Sequence, residues 1–526
     1  MADASPIVEA RDVAVRYPGA ARDAVRDVSL ALRAGERVGI LGPSGCGKST
    51  FALALAGAIP ALVPGELRGT VVRAGAVAHV QQDVEAQLVA LSVEGEIAFA
   101  LENRGLDPGA IDVAIAQALG SGPARGLNAR DATLSLSTGW RQRLALAAAL
   151  AEGAGLTILD EPTAHLDEAA AQEAIAFMAG ETPGALLLIE HRADLVAPLA
   201  DRLLVLDREG APLLLAPSAE ALETIAGRPD LGLRLPPAAR AALCLRRHGQ
   251  AVAGGLMPDL AALVHAAAAW PADLRAALRD DLAPTRLPAA AGDPLVTLEA
   301  VSLRRGDHRA LEGVSLTLRQ GEVVGLAGGN GAGKTSLCLV AAGALRPGAG
   351  RRIAKQGLVA HMVPQNPALV FASASLGLEA RRRGLAWHEA AASLESFGLT
   401  ADPRRHPLHH SRGELRRIAL AFALAGPGPM LAVLDEPTAG LDAHGLAALE
   451  ASLLAGRAAG NGALVVSHDT DWLARTCDRI LVLDAGRLAA EGAGRAICRR
   501  ALDGTAPLAA PPAFALAAAL GLETAA

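Results

Sequence analysis

The 526-residue sequence predicts an α/β protein built from two copies of one mainly parallel, phosphate-binding domain. Three observations predict it. The loop motif GPSGCGKST at 42–50 recurs as GGNGAGKTS at 328–336, each behind a short apolar run and ahead of an apolar helix. An acidic strand end, TILDEPTAHLD at 157–167, recurs as AVLDEPTAGLD at 432–442. A later apolar run, LLLIEHRADL at 186–195, recurs as LVVSHDTDWL at 464–473, and the three pairs keep the same order in both copies. A chain of this length has room for two separate cores.

Composition narrows the function. Hydrophobic residues make up 51% of the chain but aromatics only 2%, so the cores are expected to be packed from small aliphatic side chains. A net charge of -6 gives no basic field for a polyanion, so nucleic acid is not an expected partner, and the run Arg381, Arg382 and Arg383 reads as a solvated face. No stretch of about 18 apolar residues appears, and the start MADASPIVEARD lacks a basic-then-apolar leader, so the expected location is the cytosol. The five cysteines, Cys46, Cys244, Cys338, Cys477 and Cys498, show no metal-ligand spacing and are expected to be reduced thiols. Of three lysines, Lys48 and Lys334 both sit in the repeated loops, which marks a requirement for Lys in a chain that otherwise uses Arg.

Each loop follows G-x-x-x-x-G-K-[ST]. Residues Gly42, Pro43, Ser44, Gly45, Cys46, Gly47, Lys48, Ser49 and Thr50 form the first, and Gly328, Gly329, Asn330, Gly331, Ala332, Gly333, Lys334, Thr335 and Ser336 the second. Glycines let the backbone turn its N–H groups onto phosphate oxygens, and the helix start adds partial positive charge. Lys48 and Lys334 are expected to reach the β and γ phosphates of ATP, with Ser49 and Thr335 offering a hydroxyl to Mg²⁺. Cys46, at a helix N-terminus, is expected to have a lowered thiol pKa and to block nucleotide binding when alkylated.

The strand ends LTILDE and LAVLDE deliver two adjacent carboxylates where ligands of parallel sheets bind. Asp160 and Asp435 are expected in the Mg²⁺ shell, and Glu161 and Glu436 are expected to polarise the attacking water. His191 and His468, after the next apolar run, are placed to contact the γ phosphate or orient that water. The histidines of HPLHH (406–410) lack a Cys or carboxylate partner at suitable spacing, which argues against a metal site.

Spacing between the copies drifts mostly from Gln82/Gln365 to Ser137/Ser411, where VEGEIAFALENRG (93–105) has helical periodicity, so this region reads as a helical insertion. The domains are expected at 1–215 and 294–495. Between them, 216–293 is an Ala/Pro/Leu-rich extension and linker, too apolar for a flexible tether, and its PPAARAALCLRRHG segment has a faint echo in a short extension at 496–526. Packing between the halves is its expected role.

Taken together these residues resemble the ATP-binding-cassette family over nearly the whole chain. The resemblance implies P-loop NTPase domains, each with a mainly parallel sheet core, an antiparallel β subdomain and a helical subdomain. It makes Gln82 and Gln365 the Q-loop glutamines, which also approach Mg²⁺, Asp167 and Asp442 the D-loop aspartates, and Tyr17 the aromatic that stacks on adenine. Arg305 stands at that place in the second copy. The family signature, usually LSGGQ, reads LSTGW at 136–140 and HSRGE at 410–414, keeping Ser137, Gly139, Ser411 and Gly413 but replacing one glycine with Thr138 or Arg412. In the family each ATP is clamped between one cassette's loop and the other's signature, so the resemblance pairs Lys48 with Ser411 and Gly413, and Lys334 with Ser137 and Gly139. Both copies keep the Glu and His, so two competent sites are expected.

The segment QQDVEAQLVALSVEGEIAFALENRG (81–105) is similar to the ATPases of energy-coupling-factor importers, with Gln87 and Leu88 matching the QL of their pattern. That resemblance implies an ATPase driving uptake of a vitamin or metal ion, peripheral on the cytoplasmic side of the membrane. Its partners would be a transmembrane coupling subunit and a substrate-binding membrane subunit. A sugar or peptide importer ATPase is the nearer alternative. A soluble translation-factor ATPase is the farther one, because that class joins its cassettes by a long charged helix.

Overall fold

Runs of Val, Ile and Leu bounded by glycine or charge become strands, because branched side chains pack well on a pleated surface. A computed structural model describes residues 5–163, 166, 168–180, 184–190, 192–252, 254–283, 292–306, 308–426 and 430–522. By its contacts the chain divides into two units, Met1–Ala239 with Gly254–Met257, and Arg240–Ala253 with Pro258–Ala526. Among the described residues no helix is long and apolar enough to cross a membrane.

The strands of the first unit are β1 (Val8–Arg16), β2 (Val25–Leu32), β3 (Arg37–Leu41), β4 (Glu66–Arg73), β5 (Val77–Val80), β6 (Leu156–Asp160), β7 (Ala185–Ile189), β8 (Arg202–Leu206) and β9 (Pro212–Pro217). Six of them form a sheet in the order β5-β6-β7-β3-β8-β9, parallel except at β8–β9. RVGIL, LTILD and ALLLI read as unbroken apolar runs because both faces of this sheet are covered, and Ile40, Ile158 and Leu187 are fully buried. The order leaves β7 between β3, which leads into the first phosphate loop, and β6, which ends on Asp160. A separate antiparallel sheet runs β2-β1-β4.

As its spacing predicts, the 93–105 segment forms the helix Val93–Asn103. Ser92 caps it, its Oγ accepting from Gly95 N at 3.2 Å. Val93 and Ile97 on one face close a small core with Leu144 and Ala147 of the helix Thr138–Ala151. Nearby, the buried Glu96 carboxylate accepts the Val89 and Ala90 N–H groups at 3.0 and 2.8 Å, fixing the segment that leads from the Q-loop.

In the second unit β10 (Pro294–Arg305), β11 (His308–Arg319), β12 (Val323–Ala327), β13 (Ala349–Ala354), β14 (Val359–Val363), β15 (Met430–Asp435), β16 (Gly462–Val466), β17 (Arg479–Asp484) and β18 (Arg487–Gly492) repeat the plan. The sheets run β14-β15-β16-β12-β17-β18 and β11-β10-β13. One arginine corrects the reading of a solvated run at 381–383. Arg383 packs over Phe422, 5.5 Å from the ring centre, and its Nε donates to Glu379 at 2.8 Å, while Arg382 pairs with the same carboxylate. Burial alone would push the Glu379 carboxyl up, but hydrogen bonds from Arg382 and Arg383 outweigh it and pull it down to about 2.

Residues 240–252 and 258–283 belong to this unit. Leu274, Leu278 and Leu282, one helical turn apart on Ala272–Leu282, are all buried, and that helix packs on the C-terminal helix Pro512–Ala519. Arg275 donates to the carbonyls of Ala267 and Gly521, and Arg279 Nε to Leu522 O at 2.7 Å, so the chain end is sewn to the segment that precedes β10. Removing a buried leucine side chain costs about 2–5 kcal/mol. Leu278→Ala is therefore expected to weaken the second unit by that amount in urea denaturation, and an unchanged midpoint would contradict this packing.

Candidate functional site

After β3 the chain turns through Gly42 to Gly47 and enters the helix Lys48–Ala56. Gly45 and Gly47 take φ of 79° and 94°, in the left-handed region, and a side chain at Gly47 would lie 2.0 Å from Ala24 O. The loop therefore needs glycine on two independent grounds. Buried Lys48 folds back so that Nζ donates to Gly42 O at 2.8 Å and Pro43 O at 2.9 Å. The second unit repeats this with Lys334 Nζ donating to Gly328 O at 2.8 Å and Gly329 O at 3.0 Å, ahead of the helix Lys334–Ala342. Gly331 and Gly333 are again left-handed at 80° and 102°.

One expectation at this loop is overturned. Cys46 is 1% exposed, and burial pushes its thiol pKa up despite Lys48, whose Nζ is 3.9 Å from Sγ. Position at a helix start is outweighed by desolvation.

The acidic strand ends lie where the topology puts them. Thr335 Oγ1 donates to Asp435 Oδ2 at 2.8 Å, joining the first turn after the loop to the end of β15. Glu161 and Glu436 both adopt left-handed φ, 51° and 53°, a conformation that costs a non-glycine residue about 1–2 kcal/mol. Strain of this kind concentrates at functional sites. In the first unit Gln82 Nε2 donates to Glu161 Oε2 at 2.8 Å. In the second, His468 Nε2 lies 3.3 Å from Glu436 Oε1, and its backbone N–H donates to Oε2 at 3.2 Å. Burial pushes the Glu436 carboxyl up to about 8, opposed by Lys334 and reinforced by Asp435. Asp435 is raised too, first by burial, against the Thr335 hydrogen bond and Lys334. A buried carboxylate one hydrogen bond from a hydroxyl is an oxygen-only donor pair, which suits a hard cation such as Mg²⁺. His191 and Asp167 lie outside the described residues.

The remaining expected residues fall at turns and helix starts of their own units. Tyr17 OH is 3.2 Å from Thr50 Oγ1, its ring half-buried on the first unit's core, whereas Arg305 is exposed at the end of β10. Ser137 caps Thr138–Ala151, its Oγ accepting from Trp140 N at 3.4 Å. Ser411 caps Arg412–Leu424 and, unlike Ser137, donates its own N–H and hydroxyl to Glu414 Oε2 at 2.9 and 3.0 Å. Gly139 and Gly413 sit in the first turns of those helices, and Asp442 caps Ala443–Ala458 through Gly445 N at 2.8 Å. At HPLHH, His406 Nδ1 accepts from Leu408 N at 3.1 Å as a turn, and no group of three or more metal-ligating side chains occurs among the described residues.

Reasoning from sequence missed two contacts. Thr163 Oγ1 donates to Glu190 at 2.6 Å, with Thr438 and Ser467 oxygens 2.8 Å apart in the matching place. Arg416 donates to the main-chain carbonyls of both Glu436 and Gln365. The available signal was an Arg where the first copy has Gln142.

A family model described as ABC transporter matches residues 25–164 and 311–439. A protein of Streptomyces avermitilis described as an ABC transporter ATP-binding protein is 33% identical, over 92% of this chain and 94% of its own. A Bacillus subtilis protein described as an HMP/thiamine import ATP-binding protein is 30% identical over 89% and 88%. A chain from a structure of ribosome-bound archaeal Pelota and ABCE1 shares the fold, with a TM-score of 0.62, 20% identity and coverage of 94% and 80%. This chain belongs to the ABC transporter ATP-binding family, carries its cassette twice, and hydrolyses ATP with Mg²⁺ as cofactor.

A raised thiol pKa leaves little thiolate at neutral pH. Cys46 is expected to resist iodoacetamide at pH 7 in the native protein and to label readily after denaturation, read by peptide mass spectrometry. Rapid native labelling would contradict its burial.

Proposed function

We propose that this ABC-family ATPase energises an importer of the energy-coupling-factor type, driving uptake of a vitamin or transition-metal ion through separate membrane subunits. The observation that carries this reading is a group of exposed apolar side chains beside each Q-loop. Leu91 and Leu134 are 81% and 77% exposed, and the Thr133 N–H to Leu91 O hydrogen bond of 3.1 Å holds them side by side. Val89 adjoins them, and in the second unit Leu408 stands at the place of Leu134 and is exposed, with Leu369 exposed nearby in sequence after the Q-loop, while Ala374 stands at the place of Leu91. Grouped exposed apolar residues mark a partner surface, and the occupant proposed is a cytoplasmic helix of the transmembrane coupling subunit, with a substrate-binding membrane subunit beyond it.

Two further observations support the importer class. Gln87, the first residue of the QL pair, spans the turn of the Q-loop, its Nε2 donating to His79 O at 2.6 Å and its Oε1 accepting from Gln81 N at 2.9 Å. The Bacillus subtilis relative is described as serving HMP/thiamine import.

For the chemistry we assign Glu161 and Glu436 to polarise the attacking water and His468 to hold the Glu436 carboxylate. His191 takes the matching role. Lys48, Lys334 and the loop N–H groups bind the phosphates, and Mg²⁺, when held here, would supply charge neutralisation to them. Ser49, Thr335, Gln82, Gln365, Asp160 and Asp435 are the groups assigned to hold it.

Replacing apolar contact residues by carboxylates adds charge that must be desolvated on docking. The double variant Leu91→Asp, Leu134→Asp is expected to lower recovery with host membranes about tenfold, equivalent to about 1.4 kcal/mol, while purified ATPase stays within about twofold. Unchanged membrane recovery would contradict the docking surface.

A further inference from the structure

We propose that Arg416 is a positioning residue for ATP hydrolysis in the second unit, a tie from the Q-loop backbone to the backbone of Glu436 at a place where the first unit has Gln142. The inference rests on the reading above, which makes Glu436 the water-polarising group.

The geometry is specific. Helix Arg412–Leu424 begins at the signature cap Ser411 and packs against β14 and the turn after it. Five residues beyond the cap, Arg416 directs Nη1 to the Glu436 carbonyl and Nη2 to the Gln365 carbonyl, the latter at 2.8 Å. Those carbonyls sit just beyond the ends of β14 and β15, which are adjacent parallel strands paired at Val363 and Leu434. A guanidinium is a rigid planar fork, so bonding both carbonyls fixes the distance between the two loops.

Glu436 needs such support. Its left-handed φ of 53° persists only where the surroundings determine it. On one side its N–H donates to Val466 O at 3.0 Å, and on the other its carbonyl is held by Arg416. The peptide that aims the carboxylate is pinned at both ends, and any shift of the Q-loop backbone is passed to it through one side chain.

The first unit is built differently. Glu161 has the same strained φ and the same N–H bond, to Ile189 O at 2.8 Å. Gln142 stands where Arg416 does, 1% exposed, and its amide nitrogen and oxygen find no partner among the described residues. Here the link from Q-loop to glutamate is between side chains, Gln82 Nε2 to Glu161 Oε2. Gln82 thus couples the first Q-loop to a carboxylate head, and Arg416 couples the second to a backbone carbonyl.

The test is Arg416→Gln in the full-length protein, a side chain that the first unit already accommodates at this place. A displaced catalytic group costs rate rather than binding. Measured in a Glu161→Gln background, where turnover comes from the second site, the expected result is a kcat about tenfold lower than that background gives, a KM for ATP within about twofold, and an unchanged melting temperature. Adding Arg416→Gln to Glu436→Gln is expected to cause no further loss, because the arginine acts through that glutamate. An undiminished kcat with Arg416→Gln would overturn the proposal, as would a further fall on adding it to Glu436→Gln or a parallel loss of kcat, KM and melting temperature. Full turnover by Glu436→Gln alone would instead overturn the assignment of Glu436.

Discussion

The hydrogen bond from Thr335 to Asp435 is the contact on which the rest of the second site depends, because it exists only if a loop and a strand far apart in sequence arrive at one point. The sheet order secures that arrival. With β16 between them, β12 and β15 run parallel and end at the same edge. The loop after β12 then brings a lysine and a hydroxyl to the place where β15 brings two carboxylates. The first unit has the same order of strands and therefore the same meeting.

Bringing like charges together in a dry place has consequences. Burial raises the cost of ionising both Asp435 and Glu436, Asp435 adds to it at Glu436, and Lys334 offsets part of it at each. Such a site is stable as a receiver of a cation and a polyanion together, since each relieves the charge that the other leaves. The lysines meanwhile cap their own loops through carbonyl oxygens, which keeps the loop shaped for phosphate. Gln82 reaches the Glu161 carboxylate in the first cassette, and His468 and Arg416 hold Glu436 in the second.

What could be read from sequence was whatever a short motif specifies by itself. The glycine-rich loops announce a phosphate site, the spacing at 93–105 announces a helix, and the apolar runs ahead of the loops and acidic pairs announce strands. What escaped depends on tertiary surroundings. Cys46 carried a helix-start signal, yet its burial decided the thiol pKa. Arg383 looked like one of three solvated cations, but Phe422 and Glu379, distant or buried, claimed it. Arg416 has no motif, because the carbonyls it grips are backbone atoms of segments remote in sequence. The joint between cassettes was legible as helical, but not that its last helix is sewn to the chain end by Arg275 and Arg279.

The two strand-end glutamates share a left-handed φ, and the proposed chemistry puts the attacking water on their carboxylates. The account is tested most directly by the chain carrying Glu161→Gln and Glu436→Gln together, assayed for both ATP binding and phosphate release. It predicts retained binding with hydrolysis at background. Phosphate release at the wild-type rate would contradict it.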